Sequence, residues 1–337
     1  MSAGTQGTYS ILIEVKASGL QQLDQVTNSL QKTDQIAKNT GSSLGQAGQG
    51  FQRLGQQAQS SNTPIGSSIS EVFESWMRLL IRLCSLENSK YEMQYHYHIQ
   101  GFIYSLLKDS KYSYLHDKQR YKFFGFSNIF PAYDLKRGDL RTLIISSPND
   151  DFIEYISSVL DHLYKKPVTI AMGSMKFEIY DIEKFQPQLP MKSYFSLITG
   201  TRIIIRIRKE KYEEFGSKLD TPYDEVYWRS DHPIALFIEQ LTVGLSKRHN
   251  EFRGQAFCQK EILLNKPLTF LQKFILKKQV STRIEMKGSS HIVIGTLWEF
   301  EFEKSTFDQK LVQFALDCGL GERTSMGFGF MNIATYK

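Results

Sequence analysis

Two hydrophobic periods take turns along the chain from residue 77 onward. "MRLLIRLC" (77–84) reads as a strand. "HIQGFIYSLLKD" (98–109) sets Ile99, Phe102, Ile103, Leu106 and Leu107 on one helical face. "KFFGFSNIF" (122–130) and "LRTLIISS" (140–147) are strand-like runs, with the basic turn Lys136-Arg137-Gly138 between them. "NDDFIEYISSVLDHLYK" (149–165) is the clearest helix: cap-type residues open it, and Phe152, Ile153, Ile156, Val159, Leu160 and Leu163 recur at helical spacing. "VTIAMGSMKFEIYDIEKF" (168–185) supplies one strand or a hairpin. The resulting order is βαββαβ.

The second half repeats that order. "TRIIIRIR" (201–208) predicts a strand, and "DHPIALFIEQLTVGLSKRHNEF" (231–252) a helix with Pro233 in its first turn. Two strands follow at 269–280 and 290–303. A helix is expected over 305–319, capped by Ser305 or Thr306 and stopped by Gly319. "GFGFMNI" (327–333) is the last strand. The fold class expected is therefore α+β: two tandem ferredoxin-like domains, 77–190 and 191–337, with insertions near 209–230 and 253–268.

Residues 1–76 differ from this pattern. Residues 1–70 hold 12 glutamines and only two aromatics, Tyr9 and Phe51. A short strand at 8–17 and a polar helix carrying Leu20, Leu23, Val26 and Leu30 are expected, then linker; so polar a segment offsets its ordering entropy poorly. This leader resembles the opening of a phage tail tape-measure protein over roughly 60 residues. It reads either as a fusion onto the body or as a native arm.

Composition narrows the function. The chain of 337 residues carries a net charge of +6. The body from residue 77 holds 37 Lys and Arg against 30 Asp and Glu, so the basic surplus lies there and favours a polyanionic partner. No run of about 18 apolar residues predicts a membrane span. Cys84, Cys258 and Cys318 form neither a zinc pair nor an even disulfide set, which points to a reducing cytoplasm. His96 and His98 alternate in "YHYH" and read as a strand-like pair flanked by tyrosines, more often structural or RNA-facing than metal-ligating. No metal or cofactor is expected. The remaining signal is "GLGERTSMGFGF", in which Gly319, Gly321, Gly327 and Gly329 flank Arg323, Thr324 and Ser325. It follows a helix, so it is no Rossmann fingerprint, and it lacks the GK[ST] ending of a P-loop. A plain helix–strand connection and a phosphate-facing loop both fit the residues.

That loop, on a tandem ferredoxin-like body, resembles the glycine-rich loop of the repeat-associated RNA-binding superfamily. The stretch "MRLLIRL…YHIQGFIYSLL…YLHDKQRYKFFGFSNIF" is more closely similar to one member, the sixth CRISPR-associated protein family, endoribonucleases that process precursor CRISPR RNA. The resemblance runs from Met77 to near the end, with few motifs over 165–300. In archaeal members a Tyr ending "QGxIY", a His closing "YLH" and a Lys opening the next strand form the catalytic set. Here those positions are Tyr104, His116 and Lys122. The resemblance implies metal-independent cleavage that leaves a 2′,3′-cyclic phosphate and a 5′-hydroxyl.

The residue types suit that chemistry. Internal transesterification needs one proton removed from a 2′-hydroxyl, one given to the 5′-leaving oxygen, and a dianionic phosphorane stabilised. Histidine can do either proton task. Tyrosine donates a hydrogen bond, or acts as base if a cation lowers it; lysine supplies fixed charge. Tyr104 lies roughly 130° from the centre of its helix's apolar stripe, so it is expected to face solvent or a site. Which of Tyr104 and His116 takes the first proton stays open. For RNA contact the expected residues are the loop's Gly319, Gly321, Arg323, Thr324, Ser325, Gly327 and Gly329, Arg202, Arg206 and Arg208 on one strand face, Lys247, Arg248, Lys277 and Lys278. The implied partner is CRISPR repeat RNA, with an effector complex and a homodimer left open and no membrane. A non-catalytic RNA-binding subunit is the alternative reading.

Overall fold

The computed structural model describes residues 77–166, 168–190, 194–254, 271–286, 289–303 and 309–334. The leader, the Ser305/Thr306 cap and most of the 253–268 insertion lie outside these residues.

In the first half, β1 (Met77–Ser85) leads to α1 (Tyr95–Leu107), then β2 (Gly125–Phe126), β3 (Leu140–Ser147), α2 (Asp150–Lys165), β4 (Ile170–Met172) and β5 (Met175–Phe185). The sheet order is β2-β3-β1-β5-β4, and every pairing is antiparallel. Alternate residues Leu79, Ile81 and Leu83 of β1 are fully buried under the two helices. Helix α2 starts where its sequence says: the Asn149 side chain accepts from Phe152 N–H at 3.2 Å, and two aspartates occupy the first turn.

The second half contains β6 (Tyr194–Thr199), β7 (Arg206–Arg208), α3 (Lys209–Glu214), β8 (Glu225–Tyr227), α4 (Ile234–Phe252), β9 (Leu271–Met286), β10 (Ser289–Glu303), α5 (Gln309–Cys318) and β11 (Met331–Ile333). Its main sheet runs β11-β6-β10-β9, again antiparallel, and β7 pairs with β8 in a separate ribbon. Setting β4 and the β7–α3–β8 insertion aside, each half follows the same strand–helix–strand–strand–helix–strand course. Each has its own apolar core, the second built around Trp298, Phe237, Phe300 and Phe314.

Three expectations change. The first strand of the second half is 194–199, and only the end of 201–208 is strand. Ile203, Ile204 and Ile205 are all buried, so the run does not alternate. Its backbone is claimed elsewhere: Ile203 exchanges bonds with Thr296, Ile204 O accepts from Glu322 N–H, and Arg202 O accepts from Gly329 N–H. Hence Arg202 shares no strand face with Arg206 and Arg208, which alternate on β7. The stretch 122–130 contributes only the two residues of β2, because Phe123 bends the chain at φ 44°. Finally, "YHYH" belongs to α1, so its histidines are helical neighbours rather than a strand pair.

The halves meet through Arg78 of β1, which is 2% exposed. Its guanidinium donates to Leu316 O, to Met331 O at 2.7 Å and to Asn332 Oδ1 at 2.9 Å, and lies 4.7 Å from the Phe330 ring centroid. Burial lowers Arg78 to about 10, which leaves it charged at neutral pH. The buried carboxyl of Asp317 is pushed up to about 7 by desolvation, with Arg78 pulling the other way. Arg78→Met, which keeps the apolar stem and strands three acceptors, is expected to cost about 3–5 kcal/mol in chemical denaturation. A loss below about 1 kcal/mol would show that the joint does not depend on it.

Candidate active site

Three elements of the first half place Tyr104, His116 and Lys122 together. Tyr104 is on the last full turn of α1. His116 ends a 3-10 turn (Ser113–Leu115), its backbone N–H bonded to Ser113 O at 3.1 Å. Lys122 precedes the bend at Phe123, a bulky residue in the left-handed region, where backbone strain of about 1–3 kcal/mol is typical of functional sites. Ser147 Oγ donates to Phe123 O at 2.8 Å and helps hold the bend. With the chain turned back in this way, Lys122 Nζ donates to the Tyr104 hydroxyl at 2.6 Å and to His116 O at 3.3 Å. The rings of Tyr104 and His116 meet edge-on, 5.2 Å between centroids.

The three environments differ. Tyr104 is half-buried, and desolvation pushes its phenol up to about 12. It keeps its proton at neutral pH, accepts from the ammonium, and has that proton left to donate. Lys122 is lowered from its usual range by burial, with Asp117 opposing. The His116 side chain is exposed, and its Nδ1 stands 2.8 Å from Asp117 Oδ1. With Nδ1–H donated to Asp117, Nε2 carries the lone pair and can accept a proton.

A cavity of about 840 Å³ opens beside this group. Residues 119–123 form one wall, α4 a second, and Gly321 to Ser325 of the glycine loop the third. Arg120, Lys122, Lys247 and Arg323 bring positive charge to it, so a polyanion would find cations on opposite walls. Among the described residues no group of three His, Cys, Asp or Glu is arranged to hold a metal ion.

The glycine loop differs from expectation in how its glycines are used. All four have positive φ, between 66° and 78°. A methyl group at Gly329 would sit 1.7 Å from Leu320 O, and at Gly327 2.3 Å from Phe126 Cε2. At Gly321 and Gly319 it would fall 2.6 Å from Ile204 O and 2.8 Å from Gly329 O. The glycines therefore let the loop fold onto the protein, and Gly327 and Gly329 are buried. Only the segment 321–325 faces the cavity.

The other expected RNA contacts divide. Lys247 and Arg206 reach the cavity, but Arg206 is held by Glu322 at 2.7 Å and Glu225 at 2.8 Å. Arg248 also lines the cavity, but it is 4% exposed, and its guanidinium donates to Gly319 O at 2.7 Å and Cys318 O at 3.3 Å, holding the loop from below. Arg202 is half-buried and bonds to Thr282 Oγ1. Lys277 pairs with Glu299 at 2.6 Å, and neither it nor Lys278 or Arg208 lines the cavity.

Two further residues were not singled out for this site from the sequence. His96 is buried against Phe328, with ring centroids 4.1 Å apart, and bonds through Nδ1 to Met326 O at 2.8 Å. Gln100 Nε2 donates to Ser325 O at 2.9 Å. Successive steps of four from His96 to Gln100 to Tyr104 were the available signal, since they put all three on one stripe of α1.

Paired antiparallel sheets in this arrangement recur in solved structures at low sequence identity. One solved structure described as CRISPR associated protein Cas6 superposes with a TM-score of 0.55 at 20% identity, covering 77% of this chain and all of that one. Another, described as an RAMP protein binding different RNA substrates, gives 0.56 at 20% identity, with the same coverage. Residues 216–333 match the family model for the C-terminal part of CRISPR associated protein Cas6. The CRISPR-associated endoribonuclease Cas6 2 of Methanocaldococcus jannaschii is 32% identical over 265 residues, 76% of this chain and 99% of that protein. The corresponding Cas6 endoribonuclease of Haloferax mediterranei is 28% identical over 266 residues, 93% of its length. The chain belongs to the Cas6 family.

Proposed function

We propose that the protein is an endoribonuclease that binds CRISPR repeat RNA and cuts the precursor transcript by attack of a 2′-hydroxyl on the adjacent phosphate. The observation that carries this reading is the meeting of Tyr104, His116 and Lys122 at the edge of a basic cavity. The names of its relatives support the same activity.

In this reading His116 Nε2 removes the 2′-proton, since burial keeps the Tyr104 phenol protonated. The Tyr104 hydroxyl then donates to the 5′-leaving oxygen or to a non-bridging oxygen, and Lys122 offsets charge on the phosphorane. The nucleophile comes from the substrate, and these groups supply both proton transfers. RNA phosphates lie along Arg120, Lys247 and the 321–325 segment. The halves, 77–190 and 191–337, are two ferredoxin-like domains in tandem, each with strand order fourth-first-third-second. An effector complex and a homodimer are compatible with this arrangement.

The test is incubation with end-labelled repeat RNA in EDTA. One cut with 2′,3′-cyclic phosphate and 5′-hydroxyl ends is the expected product. RNA that stays bound and intact would replace the nuclease with a non-catalytic RNA-binding subunit.

A further inference from the structure

The glycine loop belongs to the second half and the reactive side chains to the first, so something must fix the distance between them. One stripe of α1 does so. His96, Gln100 and Tyr104 follow each other at intervals of four, and eight residues of helix span about 12 Å. His96 and Gln100 hold two consecutive carbonyls of the loop, Met326 O at 2.8 Å and Ser325 O at 2.9 Å. Burial pushes the His96 imidazole down to about 3, so it is neutral and its Nδ1 hydrogen is the donor to Met326 O. Phe126 closes over Gly327 from β2. The turn at 324–326 is thus docked on the first half, while its other face lines the cavity.

Resting on the endoribonuclease reading above, we infer that Gln100 is a positioning residue: its amide sets the register between RNA held at residues 321–325 and the reactive group around Tyr104. His96 is deep in the joint and serves its packing as well. Gln100 is half-buried, and its one bond reaches the loop beside the residues that face the cavity. Without it, RNA still binds, but the scissile phosphate is held less uniquely against Tyr104 and His116.

Gln100→Leu keeps comparable bulk and helix propensity and removes the donor. Single-turnover cleavage is measured at saturating protein, and affinity with a repeat RNA carrying a 2′-deoxy residue at the cut position. The saturating rate is expected to fall about tenfold or more while Kd stays within about threefold, as a misplaced reactant requires. Minor cuts at neighbouring phosphodiesters should accompany the loss. An unchanged saturating rate with a single product overturns the inference. So does a loss that vanishes at saturation, which would make Gln100 a binding residue. Should the leucine variant fold poorly, Gln100→Met, which removes the donor at unchanged side-chain length and charge, carries the same expectations. Wild-type protein that leaves the RNA whole overturns the endoribonuclease reading and this inference with it, whereas normal wild-type cutting with an indifferent Gln100 removes this inference alone.

Discussion

His116→Ala is expected to slow cleavage of repeat RNA by about a hundredfold to ten-thousandfold at saturating protein, with Kd for the uncut RNA little changed. The side chain is well placed for a clean test. It is exposed, pairs with Asp117 and meets the edge of Tyr104, and the hydrogen bond that closes its turn is made by the backbone, which alanine keeps. Melting should therefore stay where it is. Tyr104 is a poorer probe, because it also packs against the first core, and its removal would mix lost packing with lost chemistry. A His116→Ala protein that cuts at the wild-type rate would remove the proton-transfer role. A variant that no longer binds would make His116 an RNA anchor instead.

The grouping of Tyr104, His116 and Lys122 was an expectation of the family resemblance, carried by motifs that stand in the same order here; nothing in the spacing of the three residues alone required them to meet. Helix α2 was legible for a different reason: its apolar period, its Asn149 cap and its acidic first turn all favour one outcome. The run Ile203-Ile204-Ile205 misled because a buried run looks like a strand whoever takes its backbone bonds. Here Thr296 and the glycine loop take them, and that is a tertiary fact. The two carbonyl bonds of Arg248 were equally hidden from the sequence. Its neighbours in "SKRH" suggest a solvated basic face, yet its position on α4 points it under Gly319. The pairing of Gln100 with Ser325 spans 225 positions and could not be read from either segment alone.

Gly329→Ala is expected to be the most destabilising single methyl in the second half, at about 4 kcal/mol or more. Two costs combine. Alanine at φ 66° pays about 1–2 kcal/mol for the left-handed conformation. The added carbon would also lie 1.7 Å from Leu320 O, a backbone atom that cannot swing aside. Gly329 cannot retreat easily, since its O accepts from Leu320 N–H and its N–H donates to Arg202 O, both at 2.8 Å. Gly138→Ala provides the comparison. Its φ is 87°, but nothing lies within 4 Å of the new methyl, so it should cost only the conformational term of about 1–2 kcal/mol. Calorimetry should then show a drop of roughly 10 °C for Gly329→Ala, at about 2–4 °C per kcal/mol for a body of this size. Equal losses for the two variants would mean that φ alone matters and that the loop has room. If the loss is as large as the geometry requires, RNA binding at 321–325 should weaken with it, because the glycines shape that segment from behind by closing the loop on Leu320, Ile204 and Phe126.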